Sequence, residues 1–186
     1  LWVIGTPRSG TTLMAETLAA AAAASVDWID NLAARFPRQP EVGMLLSAAM
    51  RMHEPRPPAG EQFTIGRTTG LRGTHEFGFF WSRWLGLEAD GPHRLDAAAR
   101  GRVDRDGLRR RLHAMIAVAD RPLLVRNVIC GLNASLLAGV HRRSVFIEMR
   151  RDPRDAAASI LACRRTHAGG AHRWWSLRPS TWPPPH

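Results

Sequence analysis

Lysine occurs nowhere in the 186 residues, so all 26 basic side chains, set against 16 acidic ones, are arginines. That absence excludes chemistry built on an amine: Schiff-base and pyridoxal enzymes, and any Walker A nucleotide loop with its lysine. Tyrosine is missing too, and cysteine is limited to Cys130 and Cys163. Two such residues supply neither a metal-ligand spacing nor a disulfide framework, which predicts a reducing, cytoplasmic setting. The longest apolar run, Leu18 to Val26, is nine residues broken by Ser25. It is too short to span a bilayer, and no signal-peptide pattern is visible. The net charge of +10 accompanies an abundance of Ala, Arg, Gly and Pro along the whole chain. The surplus therefore suits any polyanionic ligand, a nucleotide included, without singling out nucleic acid. The chain opens on Leu1 without Met and closes on Trp182–His186. Both ends are expected to be cuts in a longer protein, with the sheet left incomplete.

What is present reads as alternating strands and helices. Leu1 to Gly5 is apolar, turns through residues 6–10, and passes into an Ala-rich helix over residues 11–24. A looser stretch with Trp28, Ile29, Leu32 and Phe36 precedes a helix expected over residues 41–52. Residues 53–74 carry three prolines and four glycines and read as loop. Residues 75–87 are aromatic-rich, and residues 104–119 form an amphipathic helix. Residues 122–129 have a buried-strand pattern, a short helix is expected over 131–140, and residues 144–149 read as the next strand. A helix starts at Pro153, and the tail from Cys163 onward lacks periodicity. Apolar strands separated by helices predict an α/β fold, a parallel sheet covered on both faces.

Two segments carry chemistry. The first, residues 5–12 (GTPRSGTT), keeps the GxxxxG frame of a phosphate loop between a strand and a helix. Backbone amides in such a loop converge on an anion, aided by the positive end of the following helix. Gly10 permits close approach, and Ser9, Thr11 and Thr12 bring hydroxyls. Thr11 stands where a Walker A loop has Lys, and the cation lies three residues earlier at Arg8. The second segment is residues 144–159 (SVFIEMRRDPRDAAAS). Asp152 is an N-cap, Pro153 sits at the first helical position, and Asp155 lies near the positive end of the dipole. Ser159, two turns after Asp152, lies on the same helix face. Arg151 at the strand's end can fold back alongside it, so a guanidinium and a hydroxyl flank a site suited to a phosphate.

TPRSGTTLM resembles the 5′-phosphosulfate loop of sulfotransferases that use 3′-phosphoadenosine-5′-phosphosulfate (PAPS). RDPRDAAAS is similar to that family's 3′-phosphate site, an Arg followed eight positions later by a Ser. The resemblance implies a P-loop-like three-layer domain over residues 1–186, incomplete at its C-terminus. Residues 1–24 would form the 5′ loop and helix, and residues 122–163 the 3′-phosphate region. It implies PAPS as co-substrate, no metal, and donor binding by Arg8, Ser9, Gly10, Thr11, Thr12, Arg151 and Ser159. Arg8 would also be catalytic, stabilising the bridging oxygen and the sulfuryl group in flight. LLVRNV at residues 123–128 resembles the family's central strand, with Arg126 before Asn127 where Lys-Asn is usual. NLAARF and HEFGFFW are similar to bacterial members acting on small or lipid-linked acceptors. One departure stands: the family's later Gly-rich segment has no match before His186.

Sulfuryl transfer to a hydroxyl needs a base for the acceptor proton. Family members use His or Glu. Glu76 is the first candidate, because apolar neighbours raise a carboxylate's pKa toward neutrality. His75 is the second, and Asp30, about one helix after the loop, the third. His53, His93 and His113 read as solvated, while His167, His172, Trp174 and Trp175 are candidates to line an acceptor pocket. The acceptor class stays open among small molecules, lipids and carbohydrates. Competing readings are another phosphate-loop enzyme such as a nucleotide kinase, and a nucleic-acid module. The first lacks its Lys, and the second would want a basic stripe interleaved with aromatics, whereas these arginines are scattered.

Overall fold

In the computed structural model, residues 1–50, 67–88, 91–172 and 175–178 are described. Strand β1 (Trp2–Gly5) is central: it pairs in parallel with β3 (Leu123–Arg126) on one side and β4 (Phe146–Met149) on the other. The short β2 (Asp27–Trp28) pairs in parallel with β3, giving the order β2-β3-β1-β4. Side chains along a strand alternate between faces, and the core divides accordingly. Trp2, Ile4, Leu123 and Val125 pack on one face with Phe77, Phe80, Trp81, Leu108, Leu112 and Met115. Val3 and Leu124 pack on the other with Ala15, Ala19 and Trp28. The expected parallel α/β sheet, flanked by helices on both faces, is what forms.

Helices α1 (Thr11–Ala21), α2 (Pro40–Ala49) and α3 (Gly78–Trp84) lie in the first half of the chain. Helices α4 (Ala97–Arg102) and α5 (Arg105–Ala119) precede β3. Helices α6 (Val128–Leu132) and α7 (Ala134–Val140) separate β3 from β4, and α8 (Pro153–His167) follows β4. Among the described residues, no helix is long and apolar enough to cross a membrane.

Four boundaries differ from the sequence reading. The strand expected over 122–129 ends at Arg126, because the Asn127 side chain accepts from the amides of Ile129 and Cys130 and starts α6. What reads as one helix over 131–140 is two, α6 and α7. The Ala-rich α1 stops at Ala21, so that the chain can turn into β2 and the Asp27 amide can reach the Pro122 carbonyl. Pairing in the sheet overrides alanine's helix propensity there. Helix α8 runs to His167, through part of the supposed aperiodic tail, with Arg164, Arg165 and His167 in its last turn where they suit the dipole. Helix α4 was not legible as a helix; Asp96 caps it by accepting from the Ala99 amide. His53, Trp174 and the end of the helix expected to reach residue 52 lie outside the described residues.

Candidate functional site

The carboxyl ends of β1, β3 and β4 point the same way, and β1 sits where the connections diverge to opposite sides of the sheet. In open parallel sheets such a divergence leaves a crevice for ligands. Gly5 ends β1 opposite Met149 at the end of β4, with φ of 154°. A Cβ there would lie 2.6 Å from both the Met149 carbonyl oxygen and Ser9 Oγ, so only glycine fits. The chain then makes a tight turn: Ser9 Oγ donates to the Thr6 carbonyl at 2.7 Å, and Arg8 is held at φ of 68°. For a residue with a side chain that left-handed conformation costs about 1–3 kcal/mol, and such strain concentrates at functional sites. Gly10, at φ of 99°, leads into α1, which no side chain caps among the described residues. The first-turn amides of a helix have no partner within it and favour an anion at its start.

The second segment reaches the same place. Asp152 accepts from the amides of Arg154 and Asp155 and starts α8. Ser159 then faces inward with Ala156 and Cys163, at i+3 and i+7 spacing along the helix. Arg8 Nε donates to Ser159 Oγ at 2.9 Å, and Arg151 Nη1 donates to the Arg8 carbonyl at 3.2 Å. Arg8 and Arg151, 143 positions apart, are therefore in contact, and the two motifs meet through Arg8.

The third component is Arg126, at the end of β3 and 3% exposed. Its Nη1 donates to Thr12 Oγ1 at 2.6 Å and to Glu76 Oε1 at 3.3 Å, and its Nη2 to the Thr74 carbonyl at 2.9 Å. The Glu76 side chain is 39% exposed, yet dense protein around it raises its pKa by desolvation, an effect that Arg126 partly opposes. His75 is tied differently. Its Nδ1 accepts from the Phe77 amide at 2.8 Å, and burial, followed by Arg126, lowers its pKa. A neutral imidazole accepting at Nδ1 carries its proton on Nε2 and has no lone pair left to take another. Of the adjacent pair, Glu76 is thus the one with a basic atom available.

Asp30 does not fit the role of a base. It is fully buried, with Oδ1 accepting from the Ala33 amide and Oδ2 from Ser47 Oγ and Arg72 Nη1. Arg72 also pairs with Asp27 and lies 4.4 Å over the Trp28 ring. Asp30 locks β2 to α2 and to the strand-like bridge at Thr74. Removing Asp30 takes one of its two carboxylates from Arg72 and leaves the buried Ala33 amide and Ser47 hydroxyl without their acceptor, so Asp30→Ala is expected to destabilise the fold by about 2–4 kcal/mol. Urea denaturation checks this, and turnover per folded molecule should change little.

The remaining histidines and tryptophans lie elsewhere. His93, read as solvated, is half-buried: its Nδ1 accepts from the Arg178 amide, and its own amide donates to the Arg178 carbonyl. His113 is exposed and meets His141 edge-on. His167 and His172 are exposed, and Trp175 is half-buried. The Glu76–Arg126–Thr12 link was missed in the sequence, where Arg126 was read inside a strand over 122–129 and noted only for standing before Asn127.

A parallel α/β sheet with a glycine-framed loop at the end of its central strand, faced by a second basic segment, has a phosphate-loop-like architecture. The sequence matches the sulfotransferase family over residues 1–182, and the chain belongs to that family. No curated protein and no solved structure matches it.

Proposed function

We propose that the chain transfers a sulfuryl group from PAPS to a hydroxyl or amine acceptor by in-line displacement, within one domain over residues 1–186. The observation that carries this reading is the meeting of the residue 5–12 loop with Arg151 and Ser159 through Arg8. PAPS supplies an activated sulfuryl group on a phosphate leaving group. The loop amides, with Ser9, Gly10, Thr11 and Thr12, hold its 5′ end, and Arg151 and Ser159 hold the 3′-phosphate. Arg8, between the two, meets charge building on the departing phosphate. Glu76 takes the acceptor's proton. Positioning and charge complementarity supply the catalysis, as in phosphoryl transfer. The exposed Phe79 ring, edge-on to Phe77 near His75, offers an apolar surface to a small-molecule, lipid or carbohydrate acceptor. Free thiols at Cys130 and Cys163 suit a reducing, cytoplasmic compartment.

Ligand-induced thermal shift tests the donor assignment. Adenosine 3′,5′-bisphosphate is expected to raise the melting temperature without magnesium, and ATP to have little effect. Ser159→Ala should weaken bisphosphate binding about tenfold, through loss of a hydrogen bond to a charged group, with kcat at saturation largely retained. Protection by magnesium-ATP and none by the bisphosphate would instead identify a nucleotide kinase.

A further inference from the structure

We propose that Arg126 is a positioning residue for the acceptor base: clamped between Thr12 of the anion loop and the Glu76 carboxylate, it fixes the orientation and charge state of Glu76. The inference rests on the reading of Glu76 as the base.

A buried guanidinium must spend its donors on protein partners, and Arg126 divides them between two functional elements. Nη1 bridges Thr12 on α1 and Glu76, while Nη2 holds the Thr74 carbonyl. The 74–76 segment is pinned from further sides. The Thr74 amide donates to Glu16 Oε1 at 2.8 Å, and Asn127 Nδ2 donates to the Glu76 carbonyl at 2.8 Å. The Glu76 backbone is thus fixed by Asn127, and its carboxylate is aimed by the preceding residue of the same strand end.

The charges around Glu76 single out the same residue. From β3, Arg126 acts on it directly; beside it, His75 accepts at Nδ1, as only an imidazole unprotonated there can, and burial lowers its pKa. Glu16 of α1 faces Arg126, while Asp30 and Arg67 act on His75. Burial pushes the Glu76 pKa up and Arg126 holds it down. Without that cation the carboxyl keeps its proton to higher pH and cannot serve as a base there. Because the same Nη1 also binds Thr12, the anion loop and the base share one arginine.

The test is a carbon-13 titration of the Glu76 side chain alongside the pH profile of sulfuryl transfer. In Arg126→Met, Glu76 should titrate at higher pH than in the unsubstituted protein, and the acidic limb of kcat should follow. The ratio of rates at pH 6 and pH 8 then falls about tenfold. Arg126→Lys, keeping a charge but not the fork, should hold the limb in place at reduced kcat. Thr12→Val removes the acceptor on the loop side, so the guanidinium can close on Glu76 from 3.3 Å, which should move the titration to lower pH; it carries the test should Arg126→Met fail to fold. An unmoved Glu76 titration in either folded variant overturns the proposal. A shifted titration with a stationary pH profile also overturns it, by removing Glu76 as base while leaving the ion pair real.

Discussion

Arg8→Ala is expected to abolish sulfuryl transfer, with kcat reduced about a thousandfold or more. Its guanidinium lies between the two segments proposed to hold the donor, and no lysine is available to substitute. Charge stabilisation matters most where negative charge appears only as the bond breaks, so the loss falls on kcat more than on donor binding. The fold should survive, because a half-exposed hydrogen bond from Arg8 to Ser159 contributes only about 1 kcal/mol. Truncation to alanine leaves the positive φ in place, whereas Arg8→Gly also relieves it. The glycine variant should therefore be at least as stable as the alanine variant and equally inactive. Single-turnover assays with labelled donor, paired with melting curves, check both points. Turnover within tenfold of normal in a folded Arg8→Ala protein would remove Arg8 from the mechanism.

Glu76→Gln is the second large effect: a fall in kcat of about 10²–10⁴, the contribution of a positioned general base. Glutamine keeps the size of the side chain and accepts from Arg126, but cannot take a proton. The unsubstituted enzyme should lose activity as pH falls through the Glu76 pKa, which burial has raised above the ordinary carboxylate value. That acidic limb should be missing from the residual activity of Glu76→Gln. Bisphosphate affinity should be unchanged, since the role proposed for Glu76 is on the acceptor side. Full activity in the variant, with the limb intact, would hand the role to another group.

Much of the fold was legible because its signals are local. Asp152 and Pro153 announce the start of α8, the unbroken apolar run of Trp2, Val3 and Ile4 announces a strand covered on both faces, and the GxxxxG frame announces the turn from strand to helix. The boundary at Asn127 was harder to read. LLVRNVI continues a strand pattern by composition, and only the side-chain cap onto Ile129 and Cys130 ends it. The same limit applies to Asp30 and Glu76. Both are carboxylates in mixed surroundings, yet one is consumed by Arg72 and Ser47 and the other keeps an exposed face.

By itself, the order of residues determined the strand-loop-helix opening, the capped helix after β4 and the cations each carries, because caps, turns and periodicity act over a few neighbouring residues. Only the folded chain decided that Arg8 lies on Ser159, that Arg126 joins Thr12 to Glu76, and that Asp30 is structural. Those pairings depend on strand register and crossover geometry, which bring together groups separated by long stretches of chain and leave no imprint on any local pattern.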